Sequence, residues 1–243
     1  MNDSRLIRGA GAASGIGFAV VLAAAYLMAP AMPVAGTPGP ALVHFVSVNS
    51  DGLELSWFLA SGPALFLGGC FVGVLAVDVW EMGAPRRLIG AGISSAFLAA
   101  ALLAGAGVSW GLFVYLAPQL NSYALVLVLA ESRHFAEGAV SFPAAASAAT
   151  LSLAARNFGR SWGAISWVGL TAAALQLGNG FDDFAADGVT GALGPLAFSV
   201  LMLWIAAFSA ALTVRRTVLA PGQMGRASHS APVAQRDELA PIA

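Results

Sequence analysis

The sequence predicts an all-α integral membrane bundle of six transmembrane helices, with a short outer-surface helix and a disordered C-terminal tail. Three observations predict it. Long apolar segments alternate with short connections along the 243 residues. Charged residues make up only 9% of the chain, where a soluble domain carries about 25%. Ten of the eleven cations, every one an arginine, fall on one side of the apolar segments. The mean hydropathy of +0.80 agrees.

The expected spans are residues 10–31, 57–79, 88–116, 137–155, 162–178 and 189–212, within a transmembrane domain covering 1–216. Most reach the roughly 20 residues that an α-helix needs to cross the hydrocarbon core. Lipid offers backbone N–H and C=O groups no partner, so apolar runs of this length read as helices. In the first span, Arg5 and Arg8 precede an apolar stretch that ends in Ala29-Pro30-Ala31, which resembles a cleavable secretory signal. The stretch exceeds the 7–15 apolar residues usual in such signals, so an uncleaved anchor is expected. Met32–Ser56 then reads as a long outer loop, because Pro30, Pro33, Pro38 and Pro40 crowd its start. Its Leu42–Val48 patch reads as lying on the bilayer surface. Tyr123–Ala130 is too short to span and is expected as an outer-surface or re-entrant helix turning into the fourth span near Gly138. Residues 217–243 hold few large apolar groups and read as a disordered cytoplasmic tail.

Charge sets the expected orientation. Arg5, Arg8, Arg86, Arg87, Arg156, Arg160, Arg215 and Arg216 flank the spans on one side, with Arg226 and Arg236 beyond them; only Arg133 lies on the other. Arginine in short loops marks the cytoplasmic face, so both termini are expected inside a cell (plasma) membrane. Seven acids fall on the outer side: Asp51, Glu54, Glu131, Glu137, Asp182, Asp183 and Asp187. No basic stripe suggests nucleic acid. The expected partners are the lipid bilayer and either further copies of the chain or another membrane subunit.

Several motifs bear on chemistry. Gly11-Ala12-Ala13-Ser14-Gly15-Ile16-Gly17 looks like the glycine-rich turn of short-chain dehydrogenases, but no strand precedes it and the chain has no lysine for the partner motif. Helix packing accounts better for Gly11/Gly15, and likewise for Gly69/Gly73 and Gly107/Gly111, since small residues four apart let helices approach closely. Deep polar groups are limited to serine and threonine, which can bond their own helix carbonyls. Their neutrality argues against pumps and proton-coupled transporters. Glu131, His134 and Glu137, at i, i+3 and i+6, share one side of a helix. With His44 and Asp182 from other outer loops they are the candidate metal ligands. The competing reading is a solvated acidic rim with an Arg133–Glu137 pair, and no cofactor is expected. Trp57, Trp80 and Trp162, near span ends, read as an interfacial aromatic belt.

The layout has a recognisable style. Its matching parts are the arginine-flanked, Gly/Ala-rich first span, the long outer loop, Arg156-Asn157-Phe158-Gly159-Arg160-Ser161-Trp162-Gly163, and Gly194-Pro195-Leu196 with Leu203-Trp204. Over residues 5–216 the chain resembles a broad family of six-helix bacterial membrane proteins of unknown function. The proline usual before the arginine and tryptophan of the fourth connection is missing here. The resemblance implies a fold and no activity. The expectation is a non-enzymatic structural, partner-binding or small-ligand-binding bundle. The alternatives are an outward-facing metal-dependent enzyme built on Glu131, His134 and Glu137, and a passive transporter of a small neutral solute.

Overall fold

Seven α-helices make up nearly all of the computed structural model, which describes residues 3–31, 33, 37–119, 122–184 and 193–218. They are α1 (Asp3–Met28), α2 (Gly39–Leu59), α3 (Leu65–Glu81), α4 (Arg86–Leu116), α5 (Tyr123–Ala155), α6 (Arg160–Phe184) and α7 (Leu193–Val218). No strand occurs among the described residues. The expected tail, from Leu219 onward, lies outside them. Five helical stretches are long and apolar enough to cross a membrane: Gly9–Met28, Gly39–Glu81, Arg86–Leu116, Gly138–Phe158 and Leu193–Arg215. The expected span 162–178 is helical, within α6, but is not among the five. Gln176 and Asn179 dilute its apolar character, and much of α6 is shielded, with Ser166, Ala172, Ala173 and Gln176 buried.

Two expectations are corrected by the helix boundaries. The Met32–Ser56 loop is largely the helix α2, which runs through a π-helical turn at Ala60–Ala64 directly into α3. The prolines read as breakers mark its start instead. Pro38 is the N-cap and Pro40 lies in the first turn, where a missing N–H costs no hydrogen bond. Pro63, inside the helix, has no N–H to donate, and the π turn absorbs that defect. The second correction concerns Tyr123–Ala130. It is not a separate outer-surface helix: α5 continues unbroken for 33 residues. Gly138 does not break it, and its surplus length is supported by packing, as Val126 is fully buried.

α1, α3, α4, α5, α6 and α7 close into a ring in that order, each packing on the next and α7 returning to α1. Connections are short, so successive helices run antiparallel. The arginine-bearing ends therefore gather at one end of the ring. At the α3–α4 corner, Gly83 adopts φ +84°, with its N–H on the Trp80 carbonyl and the Ala84 N–H on the Val79 carbonyl. This Schellman closure satisfies the last carbonyls of α3 and requires the left-handed conformation that glycine adopts without strain. On the α1–α3 contact, Val74 rests on Gly11, and the Phe71 ring lies 2.5 Å from where a Cβ on Gly15 would stand. Ser209 of α7 donates to the Ala12 carbonyl across the same region. Gly11/Gly15 thus serves the close approach expected of it. Gly69/Gly73 does not: both glycines are exposed, with nothing within 4 Å of an added Cβ, and Gly68 takes the packing role against Phe18.

The ring's core is Phe71, Leu75, Ala148, Leu151, Trp204, Phe208 and Leu212 with their neighbours. Trp162 joins it, buried against Phe208 and Phe158, and so is a core residue and not part of an aromatic belt. Trp57 and Trp80 are exposed. A second, separate core lies toward the far end: Leu42, Val46 and Leu53 of α2, Trp110, Phe113 and Val114 of α4, and Val126 of α5. The two cores make a two-storey molecule. The 43 residues of Gly39–Glu81 measure about 64 Å at 1.5 Å per residue, against about 39 Å for the 26 residues of α1. The surplus of α2, with the end of α4 and the start of α5, forms a three-helix head beyond the ring.

Candidate functional site

The head is built from three helix pieces that do not bury all their apolar surface against one another. On its inner side Phe113 and Val126 are completely buried, and the Trp110 indole donates to the Leu53 carbonyl at 3.3 Å. Gly39 packs under Tyr123, whose Cβ stands 2.5 Å from where a Cβ of Gly39 would be, which joins the starts of α2 and α5. The outer side is different. Val48, Tyr115 and Val128 are 67%, 68% and 60% exposed, with Leu55, Tyr123 and Leu125 also uncovered. Polar groups among them turn back to their own helix: Asn49 Nδ2 donates to the Phe45 carbonyl and Ser47 Oγ to the His44 carbonyl, each at 2.8 Å. What the head presents is therefore apolar side chains set among the acids Asp51 and Glu54.

At the base of the head the π turn opens a pocket of about 100 Å³ lined by Ala29, Ser56, Trp57, Ala60, Ser61, Leu103, Ala106, Gly107 and Trp110. The Trp57 indole lies over Gly107 and Gly111, with atoms 3.3 Å from an added Cβ at either position. That glycine pair seats a tryptophan side chain, not a second backbone. Ser61 Oγ donates to the Trp57 carbonyl at 2.7 Å. Two tryptophans, small residues and hydroxyls suit a small neutral group there, and no charged side chain lines the pocket.

The expected metal ligands are spread over the same end. His44 is exposed on α2, Glu131 is half-buried on α5, and Asp182 is half-buried near the end of α6. His134 and Glu137 lie on the continuous α5 backbone, but their side chains fall outside the described residues. Among the described residues no three His, Cys, Asp or Glu side chains group closely enough to hold a metal ion. Asp183 instead accepts from Asn179 Nδ2 at 3.0 Å, and the same amide donates to Ser141 Oγ of α5 at 3.1 Å. Asn179, with Gln176 a turn before it, is a polar interhelical group that serine- and threonine-based reading passed over; the signal was an amide pair within an otherwise apolar helix.

Within the ring, Ser152 and Trp204 meet at Gly169, and both, like Ser166 a turn before that glycine on α6, are at least nine-tenths buried. Ser152 Oγ, Ser166 Oγ and Trp204 Nε1 have no hydrogen-bond partner. No family model, no curated protein and no solved structure matches this chain.

Proposed function

We propose that the protein is a non-enzymatic, multi-pass component of the cell membrane whose outer head docks a protein partner. The ring fits a bilayer. From the arginine level, about 20 residues at 1.5 Å each cover the ~30 Å hydrocarbon core. That depth takes in α1, α3 with the π turn, the first two-thirds of α4, the second half of α5, and α6 and α7. In this reading α6 crosses as a sixth span despite its weaker apolarity, because its neighbours shield its amides. The positive-inside rule then puts both termini in the cytoplasm and the head outside.

The observation that carries the docking role is the exposed apolar surface of the head. Phe66, Phe97 and Leu203 are exposed on the ring, where lipid covers them. Val48, Tyr115 and Val128 are just as exposed but stand beyond the hydrocarbon core. Large apolar side chains left exposed in water on each of the head's three helices would favour an interaction site there. A second copy of the chain or another membrane subunit would bury it. Photo-crosslinking in intact cells tests this, with a photoreactive phenylalanine analogue at Val48 or Val128 and a lipid-facing control at Phe97. Discrete protein adducts are expected at the two head positions and absent from Phe97. Head positions that react with lipid alone, or not at all, would refute the docking role.

A further inference from the structure

We propose that the pocket at the joint between head and ring binds an uncharged alcohol of about four non-hydrogen atoms, its hydroxyl held by Ser56 and the Trp57 indole and its carbon chain laid against small apolar residues. The inference goes beyond the docking role. It concerns the joint and not the outer side of the head, and it holds or fails independently of what the head docks.

The pocket exists because α1 stops at Met28 while α2 and α4 run on, and because the residues beside that end are small. Ala29 borders it from the end of α1, Ala60 and Ser61 from the π turn, and Ala106 and Gly107 from α4. Its polar groups are few. Elsewhere Ser61, Thr171 and Ser199 turn their hydroxyls back to the carbonyl four residues earlier, as serine and threonine inside helices can. Ser56 does not. It is nine-tenths buried and lines the pocket, yet among the described residues its Oγ has no hydrogen-bond partner. The Trp57 indole N–H has none either. Its nitrogen and Ser61 Cβ both stand 3.3 Å from where a Cβ on Gly107 would be. Trp110, whose N–H is spent on the Leu53 carbonyl, contributes its ring.

Size and chemistry together decide the occupant. The volume is about 100 Å³, and benzene, with six non-hydrogen atoms, occupies a cavity of about 150 Å³, so about four such atoms fit. No charged side chain lines the pocket, so an ion would give up its hydration there without a counter-charge. A plain hydrocarbon would leave the Ser56 hydroxyl and the Trp57 N–H unpaired. Water alone would meet those groups but leave Ala60, Leu103 and Ala106 facing solvent. An alcohol does both. Its hydroxyl accepts from the indole N–H and donates to Ser56 Oγ, and its carbons cover the apolar walls.

The test is titration of propan-1-ol into the full chain in detergent micelles. Nuclear magnetic resonance reads the indole N–H signals of the six tryptophans, with Trp57 assigned by its loss in Trp57→Phe. A saturable shift of the Trp57 signal is expected, with a Kd of about 1 mM, the affinity that so few atoms supply when well held. Ser56→Ala should weaken binding about tenfold, the worth of one hydrogen bond. Ala60→Leu should abolish saturation by filling the space, while Gly73→Ala, on open surface of the ring, should bind as wild type does. Acetate and 1-chloropropane match propan-1-ol in size but lack either neutrality or the hydroxyl, and each should bind about tenfold more weakly or worse. Ser56→Ala removes only an unpaired hydroxyl and should fold as wild type does, so its titration decides the matter even if Ala60→Leu does not fold. Three results would each overturn the proposal: a Trp57 shift that grows linearly like that of the exposed Trp80, as for a pocket holding only water; equal affinity for 1-chloropropane; or full affinity in Ser56→Ala.

Discussion

Phe113 and Phe208 offer a matched test of the two-storey reading, because both are fully buried phenylalanines and only their surroundings differ. Phe113 lies in the core of the head, which the proposal places in water; Phe208 lies in the core of the ring, which it places in lipid. Phe→Ala in a water-surrounded core costs about 3–5 kcal/mol. Some 1.5–3 kcal/mol of that is the side chain's transfer out of water. A ring surrounded by hydrocarbon loses this part, since lipid tails are as apolar as the core, and keeps only the cavity and packing part, about 1.5–2 kcal/mol. Phe113→Ala should therefore cost roughly 2 kcal/mol more than Phe208→Ala, near thirtyfold in an opening equilibrium. Hydrogen exchange in lipid nanodiscs reads it locally. Phe113→Ala should deprotect Leu42–Leu53 and Val126–Ala130 while leaving α7 protected, and Phe208→Ala should deprotect α7 more weakly. Equal effects, or a larger one for Phe208→Ala, would mean that the ring is not held in lipid as assigned.

Other perturbations separate roles that look alike along the chain. Gly11→Ala should cost about 1–3 kcal/mol by pressing on Val74, while Gly73→Ala, facing open space, should be neutral or slightly stabilising; thermal unfolding in detergent compares them. Ser152→Ala should not destabilise and should gain up to about 1–3 kcal/mol, because it removes a buried hydroxyl that has no partner; a clear loss in the same assay would reveal a bond to that oxygen. A membrane-impermeant maleimide should label Val48→Cys but not Asn157→Cys in intact cells in a Cys70→Ala background; the reverse pattern would invert the orientation. Pro63→Ala restores a backbone N–H and lets the π turn relax to regular helix, a one-residue change that rotates α2 by about 100° against α3. Leu42–Leu53 should then lose hydrogen-exchange protection as its apolar side turns away from Trp110 and Phe113, and unchanged protection would refute the role given to the π turn.

What was legible in the sequence was whatever depends on local composition. Expected spans 88–116, 137–155 and 162–178 fall within helices, 57–79 lies in the continuous α2–α3 helix, 10–31 runs three residues past the end of α1, and the described part of 189–212 is helical, because a long apolar run is sufficient cause for a helix when no water competes for the backbone. The arginine asymmetry likewise reads the same along the chain as at one end of the ring. What was not legible depends on partners. Pro38 and Pro40 look like breakers until it is known that a helix begins at them. Gly69/Gly73 and Gly11/Gly15 have one spacing and opposite surroundings, because spacing places two residues on one side of a helix without saying what that side meets. Trp162 sits near a span end like Trp57 and Trp80, but it points inward to Phe208.

The same distinction explains why the head stayed hidden. A segment of eight apolar residues is too short to cross a bilayer, and judged alone Tyr123–Ala130 has to lie on a surface. It can instead extend another helix if its apolar side finds a protein partner, and Leu42–Val48, the other stranded patch, is that partner. Each patch was unexplained by itself because each completes the other: Leu42, Val46 and Val126 are buried in one cluster with Trp110 and Phe113. Once they pair, the proposed membrane placement leaves more helix than a bilayer can cover. The surface left over at Val48, Tyr115 and Val128 is then the part of the molecule that lipid cannot account for, which is why the docking role is placed there and not along the ring.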